Sequence, residues 1–332
     1  MIINMDKANT ILLFGMPRSG TTWIGKIFDS HETTLYRHEP DTRKKINKIS
    51  LMESVDKGES YCDYLNQYID EFITDRNASV NGKLPLFPKK FSSTIQFRSF
   101  YYSILLSGAF SKLIKGMKFP VLHQANLHKR SEYVLVWKSI QLLGRMGIIV
   151  NCIDNCKAIH ILRHPCGNIA SVLSGERQKK FVSSTPASED WELFEILVGT
   201  QQAERYGLSL DKLKSMEPEE RLAWRWVLFN EKAKDDTTHN PNVRILRYED
   251  MCRDPLQTAQ DYFSFCGLGW SEQTASFLGA STSKTSQSYY SVYKNPEVAA
   301  NKWREQLNPE QIKLIEGVVK KTSIGKYYLD DF

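Results

Sequence analysis

The chain has 332 residues, 41% hydrophobic and 25% charged, with 44 Lys and Arg against 38 Asp and Glu for a net charge of +6. That length can bury the core of one elaborated α/β domain, and the composition excludes a disordered, fibrous or membrane-spanning chain. The positive excess is mild and scattered, which suits an anionic small molecule and argues against nucleic acid as a partner.

The N-terminal residues leave no room for a cleavable signal, because their apolar stretch at 10–14 runs directly into a glycine-bearing motif. Residues 10–14 read as a buried parallel strand, and Trp23, Ile24, Ile27 and Phe28 then share one face of a helix. A weaker strand follows at 33–37. The stretch 41–130 breaks the strand–helix rhythm; 61–72 and the aromatic-rich 91–110 read as helices, either of an excursion that caps the sheet and shapes an acceptor pocket or of plain helical packing. Further buried strands are expected at 133–137, 158–162 and 243–247. Polar stretches at 183–190, 235–242 and 279–288 read as loops. Asn308-Pro309-Glu310-Gln311 starts a helix, with Asn as N-cap, Pro at the first position and Gln at the third. The whole chain, 1–332, is expected to be one α/β domain: a P-loop-like parallel sheet flanked by helices, with a largely helical capping excursion. The six cysteines, at 62, 152, 156, 166, 252 and 266, form no Cys-x-x-Cys pair and are expected as free thiols in a reducing compartment. No apolar run approaches the ~20 residues of a membrane helix. A cytoplasmic protein without membrane contact is therefore expected, and its oligomeric state is not legible.

The strongest motif is Gly15-Met16-Pro17-Arg18-Ser19-Gly20-Thr21-Thr22-Trp23. A glycine turn between strand and helix aims several backbone N–H groups at one point, and the helix N-terminus adds roughly half a positive charge there. Such a loop seats an anion. The Gly15-x-x-x-x-Gly20 spacing matches a nucleotide triphosphatase loop, but Thr21 stands where that loop carries its lysine. Arg18 instead places a cation inside the loop. Pro17 to Trp23 resemble the 5′-phosphosulfate loop of the sulfotransferase superfamily, in the arginine version found in tyrosylprotein and carbohydrate-type enzymes.

A second phosphate site is expected at Arg163-His164-Pro165, with Ser171 on the following helix, since an arginine and a hydroxyl make a compact phosphate clamp. In the superfamily an arginine and a serine eight residues later bind the donor's 3′-phosphate, and Arg163 and Ser171 have that spacing. Arg247-Tyr248-Glu249-Asp250 resembles the segment whose aromatic residue lies near the adenine, here Tyr248. Asn301-Lys302-Trp303-Arg304 resembles the late segment whose basic residue reaches the 3′-phosphate. The resemblance implies a metal-free sulfonyl transfer from 3′-phosphoadenosine 5′-phosphosulfate, yielding 3′,5′-ADP. It assigns Arg18, Ser19, Gly20, Thr21, Thr22 and Trp23 to the 5′ side of that donor. Lys138, after the 133–137 strand, is expected near the sulfonyl group or at the surface. Phenol-type enzymes have a histidine close by; here the sequence is Lys138-Ser139-Ile140. Glu39, after the second strand, is the expected base, because right-handed βαβ geometry brings it beside Arg18 and Tyr36 to Pro40 resemble the Glu-Pro segment of the arginine-type enzymes. His38, His123 and His128 are its rivals. A P-loop kinase or nucleotide triphosphatase, and a non-catalytic nucleotide-binding protein, stand as alternatives. A small soluble metabolite is the default acceptor.

Overall fold

The computed structural model describes residues 9–113, 119–125, 127, 130–179, 185–283, 292–293 and 295–332. His128, the first eight residues, 183–184 and 284–288 of the expected loops lie outside the described residues. Five strands, β1 (Thr10–Gly15), β2 (Thr34–His38), β3 (Val134–Ser139), β4 (Cys156–Leu162) and β5 (Val243–Arg247), form one sheet. Every pairing is parallel and the order is β2-β3-β1-β4-β5. All five C-terminal ends therefore meet at one edge, where open α/β sheets bind ligands.

β1 is buried along its whole length because helices cover both faces of the sheet. Its side chains alternate between two cores. Leu12 and Phe14 join Trp137, Trp226 and Leu162 on one side. Ile11 and Leu13 join Ile24, Ile27 and Phe28 of the Thr21–Ser30 helix on the other. β5, at the sheet's edge, is only partly buried.

The five expected strands and the two excursion helices are found within three residues of the expected bounds, the latter as Cys62–Ile73 and Thr94–Leu113. The Asn308 capping box is present at the head of the Pro309–Val319 helix. Two expected loops begin too early. The Pro218–Thr237 and Glu272–Ser283 helices run into them, and hydroxyls in the last turns bond back within the helix, Thr237 to the Ala233 carbonyl at 2.7 Å and Thr282 to that of Leu278 at 3.0 Å, so these polar residues are accommodated without leaving it.

The six-thiol expectation also fails. Cys62, opening its helix, and Cys152, ending the Met146–Cys152 helix, are disulfide-bonded across 90 residues, and Cys156, Cys166, Cys252 and Cys266 are buried free thiols. The two helices pack together, which brings the sulfurs into reach where sequence spacing gave no sign. With it, the support for a reducing compartment is lost.

The excursion is fastened to the sheet by buried cations. Arg37 of β2 donates through Nε and Nη2 to the Ile73 carbonyl, at 3.2 and 2.5 Å. Lys26 and Lys89, both buried, share the carboxylate of Asp29, and Lys26 also donates to the Lys83 carbonyl at 2.8 Å. Burial pulls the Lys26 ammonium down to about 8, against the pull of Asp29.

Candidate active site

The loop between β1 and its helix needs two left-handed residues, Arg18 at φ 72° and Gly20 at φ 79°. Gly20 has a second reason to be glycine, since a Cβ there would lie 2.3 Å from the Tyr248 ring. Gly20 is also the N-cap and brings no side-chain oxygen to the first amides of the helix; the Trp23 amide turns back to the Gly20 carbonyl at 3.1 Å, and the Thr21 and Thr22 amides are left to an external acceptor. Asn168 holds the loop from behind, donating through Nδ2 to the Pro17 carbonyl at 2.8 Å and to the Ser19 hydroxyl at 3.2 Å. Thr21 and Trp23 are buried, and Trp23 donates through Nε1 to Ser281 at 3.1 Å.

Arg163 and Ser171 do come to this loop, each through Arg18. Arg18 Nε donates to Ser171 Oγ at 3.0 Å, and Arg163 Nη1 donates to the Arg18 carbonyl at 2.7 Å. Arg163 Nη2 donates to Ala299 O at 3.1 Å, and the guanidinium lies 5.0 Å from the Tyr248 ring centre. Its Nε is buried with no hydrogen-bond partner among the described residues.

Behind Arg163, the His164 amide donates to Glu249 Oε1 at 3.0 Å, and the Tyr328 hydroxyl donates to Glu249 Oε2 at 2.8 Å. Trp303 is buried and stacks on His164 at 4.7 Å, so it acts as core here, while Arg304 lies over the Trp303 ring and donates to the Asp331 carbonyl. Lys302 is exposed. A cavity of about 400 Å³ opens here, lined by His164, Arg247, Glu249 and Arg304 among others.

Glu39 follows β2 at φ 47°. β3 lies between β2 and β1, so the neighbour of Glu39 is Lys138 and not the loop, as simple βαβ order would have it. Lys138 is fully buried, which settles it away from the surface, and its ammonium pairs with Glu39 Oε1. Burial pulls the Lys138 ammonium down, and Glu39 pulls it back up. His38 Nε2 sits 3.8 Å from the same carboxylate oxygen, while its Nδ1 meets the Tyr36 hydroxyl at 2.9 Å. Burial and the nearby Lys138, Lys83 and Lys26 charges hold His38 well below the usual histidine range, so its ring is neutral at pH 7. His123 is exposed beside a pocket that also involves Tyr36 and Arg37. The sheet edge thus carries a helix start without a side-chain cap in one place and a carboxylate paired with a buried cation in another.

A family model described as the sulfotransferase domain matches residues 8–326. The chain belongs to that family. Sulfonyl transfer is the chemistry that membership assigns to it. Mouse carbohydrate sulfotransferase 3 is 37% identical over 62 residues, which is 18% of this chain and 13% of that protein. The chain's match therefore spans a small part of that relative's length. The sulfotransferase domain of the Synechococcus PCC 7002 olefin synthase aligns over 95% of this chain and 96% of its own, at 15% identity and a TM-score of 0.43. Mouse sulfotransferase SULT7A1 complexed with PAP aligns over 97% and 89%, at 12% identity and 0.44. Sulfotransferase STF9 from Mycobacterium avium aligns over 98% and 77%, at 14% and 0.42. Likenesses at these scores transfer no residue role.

A reading of the family motifs gives no role to four residues that the structure brings into play, Asn168, Glu249, Tyr328 and Lys83, although Glu249 lies within one of those motifs. Asn168 sits one helical turn before Ser171, and that i,i+3 spacing was the available signal. Glu249 and Tyr328 meet across 79 residues and leave no local trace. Burial pulls the ammonium of Lys83, from the excursion, below its ordinary range, and the nearby Glu39 carboxylate opposes only part of that pull.

Proposed function

We propose that this protein moves a sulfonyl group from 3′-phosphoadenosine 5′-phosphosulfate to a hydroxyl or amine of a small acceptor, with Glu39 as the base. One observation carries the reading: Arg18 bonds through its side chain to Ser171 and through its carbonyl to Arg163. The two motifs assigned to opposite ends of the donor thus share a single residue. The fit is also chemical. The uncapped helix start suits the 5′-phosphosulfate, and the orphaned Arg163 Nε suits an incoming phosphate oxygen.

In the step proposed, the acceptor heteroatom attacks sulfur as its proton passes to the Glu39 carboxylate. The bond from sulfur to the bridging oxygen breaks, and its electron pair stays on the departing 3′,5′-ADP. Arg18 and the loop amides stabilise that growing charge, and Lys138 holds Glu39 in place. Thr21 argues against the kinase reading, since no lysine from the loop reaches an outer phosphate. The test is turnover of sulfur-labelled donor with a pool of hydroxyl and amine acceptors, in excess EDTA. Label transfer is expected to persist; Mg²⁺-dependent turnover of ATP in its place would favour the kinase reading.

A further inference from the structure

β4 ends at Leu162, so the peptide joining Arg163 to His164 lies beyond the strand ladder and needs other partners for its carbonyl and its N–H. Side chains supply both. Trp226 donates through Nε1 to the Arg163 carbonyl at 3.0 Å, and the His164 amide donates to Glu249 Oε1 at 3.0 Å. The register explains why Glu249 is at hand. Leu162 pairs with Arg247, so the residues that follow β4 and β5 emerge side by side. Of the two that follow β5, Tyr248 has its ring centre 5.0 Å from the Arg163 guanidinium, and Glu249 holds the backbone behind it.

Glu249 is itself fixed from a third part of the chain. The Tyr328 hydroxyl donates to Glu249 Oε2 at 2.8 Å. Tyr328 is fully buried, with its ring edge-on to His164 at 5.0 Å and its centre 4.7 Å from the Arg247 guanidinium. A hydroxyl on a ring so confined has little freedom, and it leaves the carboxylate one orientation. The planar fork of an arginine matches a phosphate only when the stem that carries it is held.

We infer that Glu249 and Tyr328 are positioning residues for donor selectivity: together they fix the backbone of Arg163 so that its guanidinium meets the 3′-phosphate, without either touching the nucleotide. The inference rests on the donor reading above. A carboxylate that served only the fold would, on removal, weaken every nucleotide alike; one that aims Arg163 weakens only those with a 3′-phosphate.

The test is calorimetric titration with 3′,5′-ADP and with 5′-AMP, which differs from it only in lacking the 3′-phosphate. The wild-type chain should bind 3′,5′-ADP the tighter. Tyr328→Phe keeps the ring on His164, removes only the hydroxyl, and should cut that preference about threefold. Glu249→Ala strands the His164 amide and should cut it about tenfold. Glu249→Gln, whose side-chain oxygen can still accept from that amide, should restore most of it. Affinity for 5′-AMP should hardly change in any of them. Thermal transitions verify folding, and if Glu249→Ala does not fold, Tyr328→Phe decides. An unchanged preference, or equal losses for both nucleotides, overturns the inference and leaves the donor reading standing. A wild-type chain that does not distinguish the two nucleotides removes the donor reading, and the inference with it.

Discussion

Arg18 donates through Nε to the Ser171 hydroxyl at 3.0 Å, across 153 residues of sequence. The contact ties the loop to the second phosphate motif, so the two ends of the proposed donor site meet at one residue.

Arg163→Ala should show which end of the donor this guanidinium serves. The guanidinium holds the Arg18 carbonyl as well as offering Nε to a phosphate. Losing a charge-assisted contact costs about 1.5–3 kcal/mol, or roughly ten- to a hundredfold in affinity for 3′,5′-ADP. Adenosine 5′-phosphosulfate, which lacks the 3′-phosphate, should lose much less. Calorimetric titration with both nucleotides reads the difference, and equal losses would remove the 3′-phosphate assignment.

Glu39→Gln keeps the shape and removes the proton acceptor. Turnover should drop about a hundredfold or more while donor affinity hardly changes. If His38→Asn instead abolishes turnover and Glu39→Gln does not, the base is the histidine 3.8 Å away.

Lys138→Met leaves a mostly buried carboxylate without its cation and should cost about 3–5 kcal/mol in urea unfolding. Adding Glu39→Gln to it should recover much of that stability, because neither charge is then stranded. Turnover should stay low in the double variant. A double variant that regains turnover would mean that Glu39 serves the fold and not the reaction.

The buried histidines give a pH dependence of definite sign. Burial pulls His160 down to about 4 and His164 to about 3. The unfolded chain takes up these protons near 6.5, and the folded one resists until far lower pH. Stability should therefore fall as pH drops from 6.5 toward 4, by up to about 1.4 kcal/mol per pH unit for each such histidine. His160 meets Asn230 Oδ1 through Nε2 at 2.8 Å, and His160→Asn should remove its share of the slope between pH 6.5 and 5. Urea midpoints across that range check it; an unchanged slope would sink the claim.

How much was legible follows from the range of the interactions. β1 and the loop announce themselves, since an apolar run, a glycine turn and an amphipathic helix are local signals. Arg163 and Ser171 could be placed by their spacing. The insertion of β3 between β2 and β1 could not, because strand order depends on a connection of some ninety residues that no periodicity reports. The Lys138–Glu39 pair and the Cys62–Cys152 bond share this cause: they join residues 99 and 90 apart whose own neighbourhoods say nothing of a partner. Trp303 and Arg304 were legible as a motif but not as packing, since stacking on His164 shows only once the C-terminal elements fold back.

The strand order has a bearing on how the protein is made. The anion loop and Glu39 leave the ribosome close together, well ahead of their partners. The strand that pairs with β2 begins only at Val134, and the residues that grip Arg18 arrive at 163 and 171. At ordinary synthesis rates this leaves an interval on the order of ten seconds. For that time β1, β2 and the loop helix exist as apolar segments with unpaired edges, exposed to other nascent chains. A chain arrested near residue 125 should therefore depend on chaperones, whereas one released past residue 175 already holds four of its five strands.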